Sequence, residues 1–185
     1  RDALVGVDLD GLPAGARVGS GSLRRRTQLL DRRPDVQVLD IRGNVPTRIS
    51  KRDEGQYDAT ILAMAGLTRL GISRPDIHPI AVDLMIPAVG QGALGVQCRA
   101  DDPRVGPILA NIDHAPTRAA VTGERAFLEK FGGGCNVPAG CHVTATPGGF
   151  AVRAVVADDA GRIRRFEAEG TDPVALGEAA AAALS

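Results

Sequence analysis

Three times between residues 16 and 69 a short apolar run is followed by a turn of glycine or capping residues and then by polar and apolar positions at helical spacing. Ala16-Arg17-Val18-Gly19 predicts a strand, and Ser20-Gly21-Ser22 then opens a helix over residues 23–32 with Ser22 as its cap. Val36-Gln37-Val38-Leu39-Asp40-Ile41 predicts a second strand, Arg42-Gly43-Asn44 a turn, and residues 45–54 a helix capped by Asn44, with Pro46 in the first turn, where proline is tolerated. Gly55 closes that helix. Ala59-Thr60-Ile61-Leu62-Ala63-Met64 is apolar almost throughout, as strands covered on both faces are, and Ala65-Gly66 turns into a helix carrying Arg69. Residues 1–15 read as an irregular lead-in. Three such units in succession imply a parallel sheet, in which ligands gather outside the carboxyl ends of the strands.

From residue 74 the pattern changes. Residues 78–86 read as extended, with His78 beside Pro79 as a loop histidine. Glycines at 90, 92 and 95 in the apolar run that follows suggest a crossover or hinge, and Cys98 near its end reads as a packed core thiol. Residues 116–131 predict an amphipathic helix with Ala120, Phe127, Leu128 and Phe131 on one face and an Arg125–Glu129 pair on another, ended by Gly132 in the left-handed position. Residues 141–146, 149–157 and 163–170 predict three antiparallel strands joined at Pro147-Gly148-Gly149 and at residues 158–162, and residues 173–185 an alanine-rich closing helix. Cys141, at a strand start, reads as structural. The fold class is therefore mixed: a parallel α/β lobe followed by a small α+β domain with a three-stranded antiparallel sheet and helices.

Composition narrows the function classes. The 185 residues are 44% hydrophobic and 24% charged, ordinary for a globular protein, with no apolar stretch of membrane-spanning length and no basic-then-apolar leader, so the cytoplasm is the expected location. Formal charge is zero, which gives no support to nucleic-acid binding. Three cysteines make no disulfide framework, and Cys135-x5-Cys141-His142 lacks the paired spacing of a zinc site, so no metal is expected. The chain begins with Arg1 rather than Met, as an excerpt or a cleaved product would.

The cations change the picture more. Of the 22, only Lys51 and Lys130 are lysine. Arg24, Arg25 and Arg26 fall in the first turn of a helix, where cations oppose the macrodipole unless an anion sits among them. Arg48 shares a face with Lys51 and Arg52. The strand ends thus collect Ser20, Ser22, Arg24, Arg25, Arg42, Arg48 and the Gly66 backbone, a set suited to a ligand with several carboxylates, since the strict phosphate-binding patterns are absent. The plain alternative is surface pairing with Asp31, Asp35, Asp53 and Glu54.

Gly132-Gly133-Gly134-Cys135-Asn136-Val137-Pro138-Ala139-Gly140 is the second focus. So many small residues around one thiol suit a bulky approach to the backbone, so Cys135 is either a loop cysteine or an attachment point. It lies past a helix C-terminus, where the dipole does not favour a thiolate.

Six segments then carry a resemblance: Val18-Gly19-Ser20-Gly21-Ser22-Leu23-Arg24-Arg25, Ile41-Arg42-Gly43-Asn44-Val45-Pro46-Thr47-Arg48, Asp53-Glu54-Gly55-Gln56-Tyr57-Asp58-Ala59, Ala65-Gly66-Leu67-Thr68-Arg69-Leu70-Gly71, Pro87-Ala88-Val89-Gly90-Gln91-Gly92-Ala93 and Gly133-Gly134-Cys135-Asn136-Val137-Pro138. In order and spacing the chain resembles the porphobilinogen deaminase, or hydroxymethylbilane synthase, family over essentially its whole length. The resemblance implies a transferase of haem biosynthesis that joins four porphobilinogen molecules into a linear tetrapyrrole with loss of ammonia, acting as a cytoplasmic monomer with no membrane or nucleic-acid partner. It implies a dipyrromethane cofactor held covalently by Cys135, with Ser20, Ser22, Arg24, Arg25, Arg42, Arg48, Gly66 and Gly134 around it. Arg24, Arg42, Arg48, Arg69 and Gln91 would bind substrate. Loss of ammonia leaves an electrophilic methylene-pyrrole cation that a nearby carboxylate stabilises.

The resemblance further implies a central lobe of periplasmic-binding-protein-like fold (residues 1–86, domain 2), a crossover (87–112) returning to a missing domain 1, and a C-terminal domain (113–185) carrying the cofactor cysteine. The family's catalytic Asp belongs to that missing N-terminal lobe, so no catalytic residue is assigned in this chain, and the chain alone is expected to lack turnover. Gly21 stands where the family usually has Ser. The competing class is a small-anion binding module of solute-binding type, in which the arginines hold a polycarboxylate and Cys135 is incidental.

Overall fold

The computed structural model describes residues 1–132, 137–158 and 160–185. Strands β1 (Asp2–Val5), β2 (Arg17–Gly19), β3 (Gln37–Leu39), β4 (Ala59–Ala63) and β5 (Ile77–Pro79) form a five-stranded sheet in the order β3-β2-β4-β1-β5. β2 runs parallel to both β3 and β4, as three strand-turn-helix units require. The helices between and after these strands are α1 (Leu23–Arg32), α2 (Val45–Asp53) and α3 (Met64–Arg69). Ser22 caps α1 by accepting from Arg25 N, and Asn44 caps α2 by accepting from Thr47 N. α3 starts at Met64, two residues earlier than the Gly66 turn suggested, so Gly66 lies within the helix.

The lead-in is where the sequence expectation fails. Asp2–Val5 is a strand in the sheet interior, antiparallel to both β4 and β5, with all four residues buried. Leu4 packs with Val18, Leu29 and Ile61 on one face, whereas Ala3 and Val5 pack with Ile49, Leu62 and Leu67 on the other. A strand covered on both faces shows no polar alternation, and four residues are too few to reveal a run. His78 is likewise a strand residue, opposite Leu4 in β5, and the extended stretch expected through residue 86 stops at Pro79, where the chain turns with Leu84 N and Met85 N donating to Ala81 O.

Residues 88–104 contain no regular element, and α4 (Val105–Asn111) follows. Cys98 is exposed here and not in a core, a correction to the sequence reading. Its neighbours Leu94 and Val96 are exposed too, so the later part of this apolar run is not buried against the described residues, whereas Val89 near its start packs against the core of the C-terminal sheet and helices.

The remaining elements are α5 (Ala115–Phe131), β6 (Ala139–Thr146), β7 (Gly149–Ala157), β8 (Ile163–Gly170) and α6 (Pro173–Leu184). The strands form an antiparallel sheet, β6-β7-β8, and the two helices cover one face with Phe127, Cys141, Val143, Val152 and Leu176 between. Gly132 ends α5 at φ +75°, as expected. Gly123 and Gly177 face each other where the helices cross. A Cβ on Gly123 would overlap the Pro173 carbonyl oxygen, and one on Gly177 the Gly123 carbonyl oxygen. The expected Arg125–Glu129 pair does not form, and Lys130 instead reaches Glu178 of α6 at 3.8 Å.

Candidate functional site

The carboxyl ends of β2, β3 and β4 open at one edge of the sheet. Because β1 runs against β4 with Asp2 opposite Ala63, the first residue of β1 arrives at that same edge. Asp2 therefore enters the arginine cluster from the part of the chain that carried no local signal. Its Oδ2 accepts from Arg24 Nη1 at 2.8 Å, and its Oδ1 accepts from Arg25 Nη2 at 2.8 Å and Arg25 Nε at 3.1 Å. The anion that the α1 N-terminus lacked in sequence is supplied by β1.

Gln91 completes the cluster: its Nε2 donates to Asp2 Oδ1 at 2.9 Å and its Oε1 accepts from Arg24 Nη2 at 3.1 Å. Arg24 Nη1 also donates to Ile86 O at 2.7 Å, and Arg25 Nη1 to Ile61 O at 3.1 Å. Gln28, one turn along α1, clasps Ile86 by donating to its carbonyl at 3.0 Å and accepting from its N–H at 2.8 Å. Burial pushes the Asp2 carboxyl up, but the Arg24 and Arg25 guanidinium groups outweigh it and hold the carboxyl below its ordinary value. The same burial works against the Arg24 guanidinium, which starts so far above neutrality that it stays charged. One carboxylate facing two guanidinium groups leaves a net positive charge at the edge.

Arg24 Nε is the one buried side-chain donor or acceptor among the described residues without a partner. An unsatisfied buried N–H costs about 1–3 kcal/mol, so this donor is suited to an acceptor from outside the chain. Ser20, also buried, lies at the end of the β2–α1 turn nearest β2 and accepts from Ser22 N at 3.3 Å.

The β3–α2 turn brings the second group. Arg42 is exposed and paired with Asp40 through Nε at 2.9 Å, Arg48 Nε donates to Gly43 O at 2.8 Å, and Lys51 Nζ donates to Arg42 O at 3.1 Å. This turn abuts the first: a Cβ on Gly21 would stand 3.0 Å from Asp40 Oδ1 and 3.8 Å from the Arg42 guanidinium carbon. It also abuts α3, since a Cβ on Gly66 would lie 3.3 Å from Val45. Arg69 donates to Gly92 O at 2.6 Å, next to Gln91. Ser20, Ser22, Arg24, Arg25, Gln91, Arg42, Arg48, Gly66 and Arg69 thus belong to one edge and the segment that crosses it. Cys135 and Gly134 lie outside the described residues.

Surface pairing, the plain alternative, is seen at Arg33 with Asp35, Arg52 and Arg74 with Asp53, and Arg165 with Asp31, and within the cluster at Arg42 with Asp40. Cys141 is buried, and its thiol is pushed up by burial and then by Glu124, as suits a structural residue. Sequence reasoning missed Asp2, Gln28 and the buried Glu124. No motif marks them, and each gains its partners from a distant element. Among the described residues no helix is long and apolar enough to cross a membrane.

Residues 1–106 match the family model described as porphobilinogen deaminase, dipyromethane cofactor binding domain, and residues 118–185 match that described as porphobilinogen deaminase, C-terminal domain. The chain is 50% identical over 182 residues to the porphobilinogen deaminase of Desulforudis audaxviator (strain MP104C), covering 97% of this chain and 59% of that protein. It is 49% identical to the porphobilinogen deaminase of Roseiflexus sp. (strain RS-1), covering 96% of this chain and 60% of the relative, and 48% identical to that of Acidithiobacillus ferrooxidans (strain ATCC 53993 / BNL-5-31), covering 100% and 61%. The chain therefore spans about three fifths of the length of these curated relatives.

Proposed function

The chain belongs to the porphobilinogen deaminase family, and on that premise we propose that it is part of a transferase that joins four porphobilinogen molecules into hydroxymethylbilane with release of ammonia. Porphobilinogen carries an acetate and a propionate, so primer, substrate and product are all polycarboxylates. The observation that carries the reading is the edge itself: Arg42 and Arg48 present guanidinium groups, and the buried Arg24 Nε awaits an acceptor.

The residues fit a dipyrromethane, whose carboxylates need several forked donors and whose attachment needs a thiol. Arg42 and Arg48 would bind its carboxylates, Arg24 would donate through Nε, Ser20, Ser22, Gly66 and Gly134 would line it, and Cys135 would hold it through a thioether. When bound, the group supplies the free pyrrole carbon to which the first porphobilinogen is joined. Arg24, Arg42, Arg48, Arg69 and Gln91 would bind and orient incoming substrate. Asp2 fixes the guanidinium planes of Arg24 and Arg25 so that they need not reorganise as ligand enters.

Proton handling falls to a residue outside this stretch. Asp2 is fully buried and committed to two arginines, and Asp40 is paired with Arg42, so neither carboxylate at the edge is free for acid-base work. The 185-residue stretch by itself would then lack turnover. In this reading residues 1–86 are the central lobe of a periplasmic-binding-protein-like fold, 87–112 the crossover to a further lobe, and 113–185 the C-terminal domain. The exposure of Leu94, Val96, Ile108 and Ile112 supports such a crossover, since apolar side chains 62–77% exposed suit burial against another part of the protein. The full-length protein would act as a cytoplasmic monomer without a nucleic-acid partner.

Intact mass of the full-length protein tests the attachment. A mass excess of one dipyrrole, lost in Cys135→Ser, is expected. A native mass equal to the bare chain overturns the attachment and leaves the polycarboxylate-binding module. Tetrapyrrole formation by the 185-residue stretch alone would refute the assignment of proton handling elsewhere.

A further inference from the structure

Glu124 is a buried carboxylate, 5% exposed, that the proposed chemistry does not use. It sits in the middle of α5, yet its oxygens serve two other parts of the chain: Oε2 accepts from Gly90 N at 2.6 Å and Oε1 from Val143 N of β6 at 3.1 Å, with His142 Nδ1 3.4 Å from Oε1. A charged group buried against backbone N–H donors makes strong, short hydrogen bonds, and removing it strands those donors.

The Gly90 bond has a direct consequence at the arginine edge. Gly90 and Gly92 both have positive φ, +68° and +90°, so the chain turns on either side of Gln91. Each of these consecutive residues is held by a different element: Gly90 N by Glu124 of α5, the Gln91 amide by Asp2 of β1 and Arg24 of α1, and Gly92 O by Arg69 of α3. Just upstream, Pro87 O accepts from Cys141 N of β6 at 3.1 Å. The turn is a shared part through which the C-terminal unit touches the Asp2–Arg24 pair.

We propose that Glu124 is a positioning residue for the arginine edge: by holding Gly90 N it sets the turn from which Gln91 reaches Asp2 and Arg24, and so ties the orientation of the Arg24 guanidinium to the unit that carries Cys135. The proposal rests on the reading of that edge as the site for carboxylates. Glu124 touches neither ligand nor Arg24. It acts through Gly90 and Gln91.

The experiment uses full-length protein with Glu124→Gln, which keeps the volume but replaces one acceptor oxygen with a donor, and Glu124→Ala as the stronger variant. Nitrogen-proton NMR reads the Gln91 side-chain amide and the Arg24 Nε–H, with Arg74 Nε–H, which donates to Asp76 at 2.9 Å, as a remote control. Both site signals are expected to move in Glu124→Gln while that of Arg74 stays. KM for porphobilinogen is expected to rise roughly 2- to 30-fold with a smaller change in kcat, and Gln91→Ala on top of Glu124→Gln should add little, since both act on one contact. Unmoved Gln91 and Arg24 signals in folded Glu124→Gln, or a lowered Tm with unchanged KM, overturn the positioning role. An unchanged KM in Arg24→Gln would overturn the reading of the edge as a carboxylate site and the proposal built on it, whereas unmoved NMR signals overturn the coupling alone.

Discussion

Asp2 Oδ2 accepts from Arg24 Nη1 at 2.8 Å with the two side chains 0% and 5% exposed, so the first strand and the first helix are joined by an ion pair closed off from water. Such a pair gives little net stability over an apolar core, but breaking it is costly because the surviving partner keeps its desolvation. Its value here is geometric: Arg24 is held with Nη1 and Nη2 engaged and Nε free.

Asp2→Asn is therefore expected to destabilise the protein by about 3–5 kcal/mol, read as a lowered urea midpoint with unchanged slope. A loss below about 1 kcal/mol would mean that water or rearrangement relieves the charge, and that Asp2 does not hold the arginines.

The same carboxyl sets an acid limit. Asp2 has its folded value below the ordinary 3.8, so its ionised form stabilises the fold above that value, and this contribution is lost as pH falls through the folded value. The gap in stability between the parent protein and Asp2→Asn should be constant from pH 7 to about 5 and narrow progressively as pH falls further. A gap of the same size at pH 2 as at pH 7 would contradict this.

Arg42→Gln and Arg48→Gln should leave stability within about 0.5 kcal/mol of the parent, because Arg42 is exposed and its pair with Asp40 is solvated. Each should raise KM for porphobilinogen in the full-length enzyme about 10- to 100-fold, the loss of one charge-assisted contact. Unchanged kinetics in both variants would return these arginines to surface pairing.

Gly123→Ala and Gly177→Ala test the helix crossing. Each added methyl would overlap a backbone carbonyl of the opposite helix and cannot be relieved by a side-chain rotation. A loss of about 1–3 kcal/mol or more is expected for either, seen as a lowered Tm. Parent-like stability would mean that α5 and α6 are free to separate.

The cysteines separate by access. In the 185-residue stretch carrying Cys135→Ser, Cys98 should take up one equivalent of maleimide at neutral pH, while Cys141, buried and with its thiol pushed up by burial and by Glu124, should react only after unfolding. Two fast equivalents would show that β6 opens readily.

Much of the fold is written locally. Ser22 and Asn44 mark the starts of α1 and α2, Gly132 marks the end of α5, and Pro147-Gly148-Gly149 marks the β6–β7 turn, because capping and turn preferences act over a few residues. The apolar run of β4 and the alternation in β6 to β8 likewise belong to short windows. The six ordered motifs carried the family and, with it, the arginines at the strand ends.

Tertiary structure decided the rest. Nothing near Asp2 shows that it lies in a buried strand, since that depends on β4 and β5 closing on both sides. Cys98 sits in an apolar run yet stays exposed, because apolar composition does not say against what a segment packs. Gln91 meets Asp2 across 89 positions of chain, and Glu124 meets Gly90 across 34. By itself the sequence determined most of the elements, though not β1 or α4, and the arginine-rich character of the strand ends, through signals that span a few residues. Which carboxylate faces Arg24, and which of its N–H groups has no partner among the described residues, was settled only when distant strands and helices came together, because a buried charge takes its partner from whatever the packing places beside it.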